Sequence, residues 1–235
     1  MIESVQLPVD DGTTMTAYVA RHMKLENPPG IMIYQDAFGV NDHFKDVAVR
    51  FAAEGFVAIV PELYHRSGND VKFAYGDIPG SRPAAALATP ENIAADTRAA
   101  YTWLTTAGGV AKDRVASIGY CMGGRVTYMA NAALPLAGAI SYYGGNLGVE
   151  PYAAMAPQQH CPILMFWAGL DKHLKPEQHR ALADLLTAAG KDHTQVVFAQ
   201  AEHGFFCNDR AEYHPVAARE SWALALEYLR SRKLR

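Results

Sequence analysis

The chain has 235 residues, half of them hydrophobic, a formal charge of -3 at pH 7 and a pI near 6.3. Those values exclude an intrinsically disordered chain and leave no basic footprint for nucleic acid. No apolar run approaches the roughly 18 residues that a membrane-spanning helix needs, and Met1-Ile2-Glu3-Ser4 opens no signal-peptide pattern. Three cysteines, at 121, 161 and 207, form no CxxC pair and fit a reducing cytoplasm.

In chain order, apolar alternation over 2–9 and 14–20 flanks Asp10-Asp11-Gly12, the signature of an N-terminal antiparallel hairpin. A strand over 31–34 follows Pro28-Pro29-Gly30. Next comes a helix over 44–54, whose Phe44, Val47, Ala48, Phe51 and Ala52 share one face, and then a strand over 57–60. Residues 66–88, rich in Gly, Pro, Ser and Asp, read as a long irregular loop lying over the site as a lid or substrate-contacting segment. Thr89-Pro90-Glu91 starts a helix by capping and by proline at its first position, and Gly108-Gly109 ends it. Strands over 115–118, 137–143, 163–167 and 195–198 then alternate with helices from about 123, through Leu182, Leu185 and Leu186, and from Pro215. Such alternation implies an α/β architecture in one domain, 1–235: a mostly parallel sheet covered by helices on both faces, with the hairpin at its edge.

Within that frame Gly119-Tyr120-Cys121-Met122-Gly123 is a strand-to-helix turn of the nucleophile-elbow type, with cysteine in the serine position. The turn aims the first amides of the helix at the nucleophile, where they stabilise a thiolate and the anion that its attack creates. An acid and a histidine follow in the order such a triad requires. Asp171 stands just past the strand over 163–167, and His203 just past the strand over 195–198. The carboxyl ends of parallel strands meet at one crevice, so Cys121, Asp171 and His203 are expected to form one site. Glu62 also follows a strand but precedes the nucleophile. Cys207, four residues beyond His203, lacks the companions of a zinc site and reads as a buried thiol, as does Cys161.

Taken together, Tyr34-Gln35-Asp36-Ala37-Phe38-Gly39-Val40-Asn41, Pro61-Glu62-Leu63-Tyr64, the cysteine elbow, Tyr142-Tyr143-Gly144 and His203-Gly204-Phe205 resemble the dienelactone hydrolase family, over most of the chain. The resemblance implies the α/β-hydrolase fold, Cys121 as nucleophile, His203 as base and later acid, and Asp171 as the group that orients it. It also implies an oxyanion hole from the amides of Met122 and Ala37. Family members carry glutamate where this chain has Asp36, one methylene shorter, and read a substrate carboxylate with arginines for which Arg82 and Arg210 are the nearest candidates. The expected function is therefore hydrolysis of a small lactone or activated ester, including anionic ones, with no cofactor and no metal, by a monomer or small homo-oligomer. The alternatives are a general short-chain carboxylesterase and a non-catalytic small-molecule-binding protein.

Overall fold

A computed structural model describes residues 2–22 and 26–234; Met1, with which the N-terminal reading begins, lies outside them. Eight strands form one mixed sheet in the order β1-β2-β4-β3-β5-β6-β7-β8: β1 (Ile2–Pro8), β2 (Thr14–Ala20), β3 (Gly30–Tyr34), β4 (Val57–Pro61), β5 (Val115–Tyr120), β6 (Gly138–Tyr142), β7 (Ile163–Ala168) and β8 (His193–Phe198). β1 and β2 pair antiparallel, β2 pairs antiparallel with β4, and every other neighbouring pair is parallel.

Burial explains why the central strands are continuous apolar runs. Every residue of β3, β4, β5, β6 and β7 is buried, whereas the edge strand β8 alternates between half-buried and exposed residues. A strand covered on both faces has no polar side to show, and one at an edge does. The cover comes from α1 (Asp42–Ala53) and α6 (Pro215–Ser231), which meet through Phe51 and Trp222 at 4.6 Å between ring centroids. Helices α3 (Pro90–Thr105) and α4 (Met122–Ala133) pack together against the sheet, and α5 (Pro176–Ala188) completes the series. Among the described residues no helix is long and apolar enough to cross a membrane.

The stretch 66–88 is not the structureless loop that its composition suggests. Residues 78–86 form a helix, α2 (Ile78–Ala86), because Asp77 caps it by accepting the Gly80 amide at 2.9 Å, and a proline in the first turn gives up only an amide that no helix would use. The preceding segment is tied down as well. The Phe73 amide donates to the Phe38 carbonyl at 3.0 Å, Tyr75 packs edge-on to Phe38, and its hydroxyl bonds Cys207 Sγ at 3.3 Å.

Among the described glycines, those where α4 leaves β5 have the least room for a side chain. A Cβ on Gly119 would lie 1.9 Å from the Gly123 carbonyl oxygen, and one on Gly123 would lie 2.2 Å from the Tyr34 oxygen and 2.5 Å from that of Gln35. These are backbone atoms of α4, of β3 and of the residue that follows β3, which cannot swing aside as a flexible side chain would. Gly123→Ala is therefore expected to destabilise the protein by about 1–3 kcal/mol or more, read as a lower urea midpoint with little change in slope. Wild-type stability in this variant would mean that the junction is looser than its geometry.

Candidate active site

Four strand ends build the site. β5 delivers Cys121, β3 delivers Asp36 and Ala37, β7 leads to Asp171 and β8 to His203. Cys121 has φ 56° and ψ -114°, its amide bonded to the Tyr142 carbonyl at 3.0 Å. A non-glycine residue held in that region stores about 1–3 kcal/mol of strain, which the surrounding packing must sustain. The reward is position, because the thiol is lifted out of the sheet and Met122 becomes the first residue of α4, where an amide has no intrahelical partner.

The second amide comes from the loop after β3. The peptide unit that follows the Ala37 amide, 37–38, is pinned from both sides: Asp36 Oδ1 accepts the Phe38 amide at 2.8 Å, and the Tyr64 hydroxyl donates to the Ala37 carbonyl at 3.0 Å. The Tyr64 hydroxyl also contacts Met122 Sδ at 3.4 Å, which joins the two loops. Ala37, Cys121, Met122, His203 and Arg210 together line one cleft of about 500 Å³.

Asp171 and His203 meet directly, Oδ2 to Nδ1 at 2.7 Å. The other Asp171 oxygen accepts the amides of His173 at 2.8 Å and Leu174 at 3.1 Å, so the carboxylate is held at both ends. Burial alone would raise its pKa, but the His203 hydrogen bond and charge, with the two amides, outweigh it and hold Asp171 below the ordinary carboxylate range. For His203 burial opposes the charged form, yet Cys121 and Asp171 overcome it and lift the imidazole to about 10. A thiol, an imidazole and an orienting carboxylate in this order can carry out nucleophilic acyl transfer.

Asp36 is almost fully buried, and desolvation lifts its carboxyl to about 6, against the Phe38 amide and the charges of Arg210 and His203, which lower it. Arg210 lies in the cleft wall, its Nε 3.3 Å from Glu212 and its guanidinium packed over Gly204, whose φ is +91°. Arg82 stands elsewhere, exposed on α2 and outside the cleft lining. Glu62 also lies apart from the cleft, accepting from Tyr18 at 2.9 Å. Sequence alone gives Tyr143 a place in a motif but no role in the site, where its ring lies 4.8 Å from that of His203, and gives none to Arg125 and Glu212 in the cleft wall. Arg125 carried a usable signal, since it lies one helical turn beyond Cys121.

Away from the cleft, Cys161 is buried, its thiol bonded to Asn131 at 2.9 Å and pushed up to about 12 by burial. His43, Cys207 and Asp209 place ligand-type atoms within 4.8 Å of one another, close enough for a metal ion to gather them. In this structure His43 Nδ1 is instead matched with Asn208 at 3.1 Å and Cys207 with Tyr75.

Comparison with known proteins is consistent across sequence and structure. The model of the Dienelactone hydrolase family matches residues 15–232. A protein of Escherichia coli K12 named "Putative carboxymethylenebutenolidase" is 32% identical over 228 residues, covering 93% of this chain and 83% of that one. One of the same name from Saccharolobus solfataricus is 30% identical over 258 residues, covering 94% and 95%. The crystal structure of a "Putative Dienelactone Hydrolase" from Klebsiella pneumoniae superposes with a TM-score of 0.89 at 30% identity, covering 97% of this chain and 98% of that one.

The buried Asp36 carboxyl makes two measurable outcomes opposite in character. Its pKa is near 3.8 when unfolded and about 6 when folded, so the folded state holds the proton more tightly and loses stability as pH rises through that window. Asp36→Asn, which keeps the acceptor for Phe38, should raise the Tm at pH 8 by roughly 6–12 °C and leave it unchanged below pH 3.8. It should also speed alkylation of Cys121 above pH 6 by removing a like charge, and match wild type below it. Identical alkylation profiles across the pH range would make Asp36 a loop-pinning residue only.

Proposed function

The chain belongs to the dienelactone hydrolase family, and we propose that it cleaves lactones or activated esters through a Cys121–His203–Asp171 triad and a thioester acyl-enzyme. The observation that carries this reading is the 2.7 Å contact of His203 with Asp171, beside a cysteine held at φ 56° on the same cleft. A histidine so raised in pKa is suited to accept the thiol proton, giving a thiolate and imidazolium pair.

The thiolate attacks the carbonyl carbon, and the carbonyl π electrons move to oxygen, where the Met122 and Ala37 amides receive the charge. Collapse of the tetrahedral intermediate breaks the C–O bond, and the departing alkoxide or enolate takes the proton from His203. In a lactone this opens the ring, so the freed oxygen stays tethered to the acyl group. His203, now neutral, removes a proton from water as its oxygen attacks the thioester, and the second collapse releases the carboxylic acid and restores the thiolate. Asp171 keeps the ring in the tautomer that both proton transfers need. A thiolate leaves readily, so partition favours esters and lactones over amides, whose nitrogen is the poorer leaving group.

Arg210, in the cleft wall, and Asp36, buried and outside the cleft lining, are the proposed substrate-side residues; Arg82, exposed on α2, would need α2 to move before it could join them. The apolar wall supplied by Phe38, Ile78, Ala85 and Leu174 also suits neutral short-chain esters, which keeps a general carboxylesterase as the second reading.

Cys121→Ala is expected to lower kcat on an activated ester by about 10³-fold or more, as loss of a triad member does. Mass spectrometry of wild type quenched during turnover should show the acyl group on the peptide that contains Cys121. Near-wild-type turnover by a folded alanine variant, or an unmodified Cys121 during turnover, would remove the nucleophile assignment, whereas no turnover of esters or lactones by wild type would favour the binding-protein alternative.

A further inference from the structure

The cleft holds a cation that the hydrolytic scheme does not use. Arg210, the arginine closest to His203 in sequence, already has its charge met by Glu212 at 3.3 Å, and its guanidinium stands near the rings of Phe38 and Tyr75, at 5.6 and 5.9 Å from their centroids. An incoming carboxylate would meet Arg210 and Glu212 as a nearly neutral pair, and Glu212 would repel it. Arg125 lines the same cleft and is half-buried; among the described residues it makes no ion pair or side-chain hydrogen bond. Its guanidinium instead lies 5.3 Å from the centroid of Tyr152.

Its placement follows from the elbow. The Arg125 amide donates to the Cys121 carbonyl at 3.4 Å in the opening turn of α4, so Arg125 sits one turn beyond the nucleophile. Residues at that spacing share a helix face, and helical side chains lean toward the N-terminus, over the turn that precedes their own Cα. The guanidinium is thereby directed along the edge that begins at Cys121. Its charge also reaches the Tyr64 phenol, the group that pins the Ala37 carbonyl.

We propose that Arg125 is the anion subsite of this enzyme: the natural ester or lactone carries a carboxylate, or an equivalent anionic group, a few bonds from the scissile carbonyl, and the Arg125 guanidinium holds it. This rests on the hydrolase reading above. An unmatched planar guanidinium can form a paired, charge-assisted contact with a carboxylate, and that contact sets both orientation and selectivity. Arg210 then shapes the wall beside His203, and Arg82 takes no part.

The test compares anionic and neutral substrates of matched size: 4-nitrophenyl hydrogen succinate against 4-nitrophenyl butyrate, and 4-acetoxybenzoate against phenyl acetate. The anionic-to-neutral ratio of kcat/KM should fall by about 10- to 100-fold in Arg125→Met for at least one pair, which also identifies the limb that carries the anion. Arg125→Lys should keep part of the ratio, and Arg125→Glu should push it below that of Arg125→Met. Ratios unchanged in both pairs would overturn the subsite. Taking a ratio within each variant cancels any general loss of activity. A second measurement needs no turnover: the Kd of monomethyl glutarate for Cys121→Ala, by calorimetry, should weaken about 10- to 100-fold when Arg125→Met is added. Equal binding by the two proteins would refute the subsite whatever the fate of the catalytic scheme. Binding that depends on Arg125, with no ester turned over by wild type, would keep the subsite and refute the hydrolase.

Discussion

The arrangement turns on a space too small for a side chain. At the junction of β5 and α4, Gly119 and Gly123 face each other and the carbonyls of Tyr34 and Gln35 across gaps that a single methyl group would overfill. That closeness forces the chain through φ 56° at Cys121 and starts α4 directly under the thiol. It also brings β3 near enough for the loop at Asp36 and Ala37 to face the same point. The strain is sustained because the strands around it are buried along their whole length and cannot relax one at a time.

Charge is arranged around this point so that most groups have an answer close by. Asp171 answers His203 and is itself held by two amides; Glu212 answers Arg210. Two groups depart from that pattern. Asp36 is buried with, among the described residues, only the Phe38 amide directly bonded to it, and Arg125 faces the cleft with an aromatic ring for company. A buried acid and an unmatched cation are both costly to keep in water-poor surroundings. With Arg125 in its wall, the cleft has a polarity that its largely apolar lining does not suggest.

Much of this was legible in the sequence because the strands that matter are covered on both sides. Runs such as Ile163-Leu164-Met165-Phe166-Trp167 have no competing pattern, and the residue that ends each run falls at the crevice. The edge strand was harder: β8 begins at His193, two residues before the stretch 195–198 that the sequence marks, because its polar His193 and Thr194 carry no apolar run where the strand meets solvent. Helix α2 was hidden by Pro79, Gly80 and Pro83, which signal turns unless the Asp77 cap is recognised. The pairing of Arg210 with Glu212 and its packing over Gly204 depend on a turn whose shape no periodicity encodes. Arg125 was in plain view, yet an arginine on a helix is usually a solvated charge, and only the fold shows which way that turn faces.

The site draws on the ends of β3, β5, β7 and β8, so its parts are gathered from positions 36 to 203 of the chain. β3 lies against β5 although some eighty residues separate them, the pairing of Gly30 with Val115 being one example. Contacts between such distant segments form late and slowly, because the intervening chain must first be brought to order. The contiguous stretch from Cys121 to His203 holds β6, β7 and β8 but leaves out β3 and β5, whose ends the site also needs. The candidate site is thus a property of the finished fold, and a nascent chain lacks it until its last strand has docked.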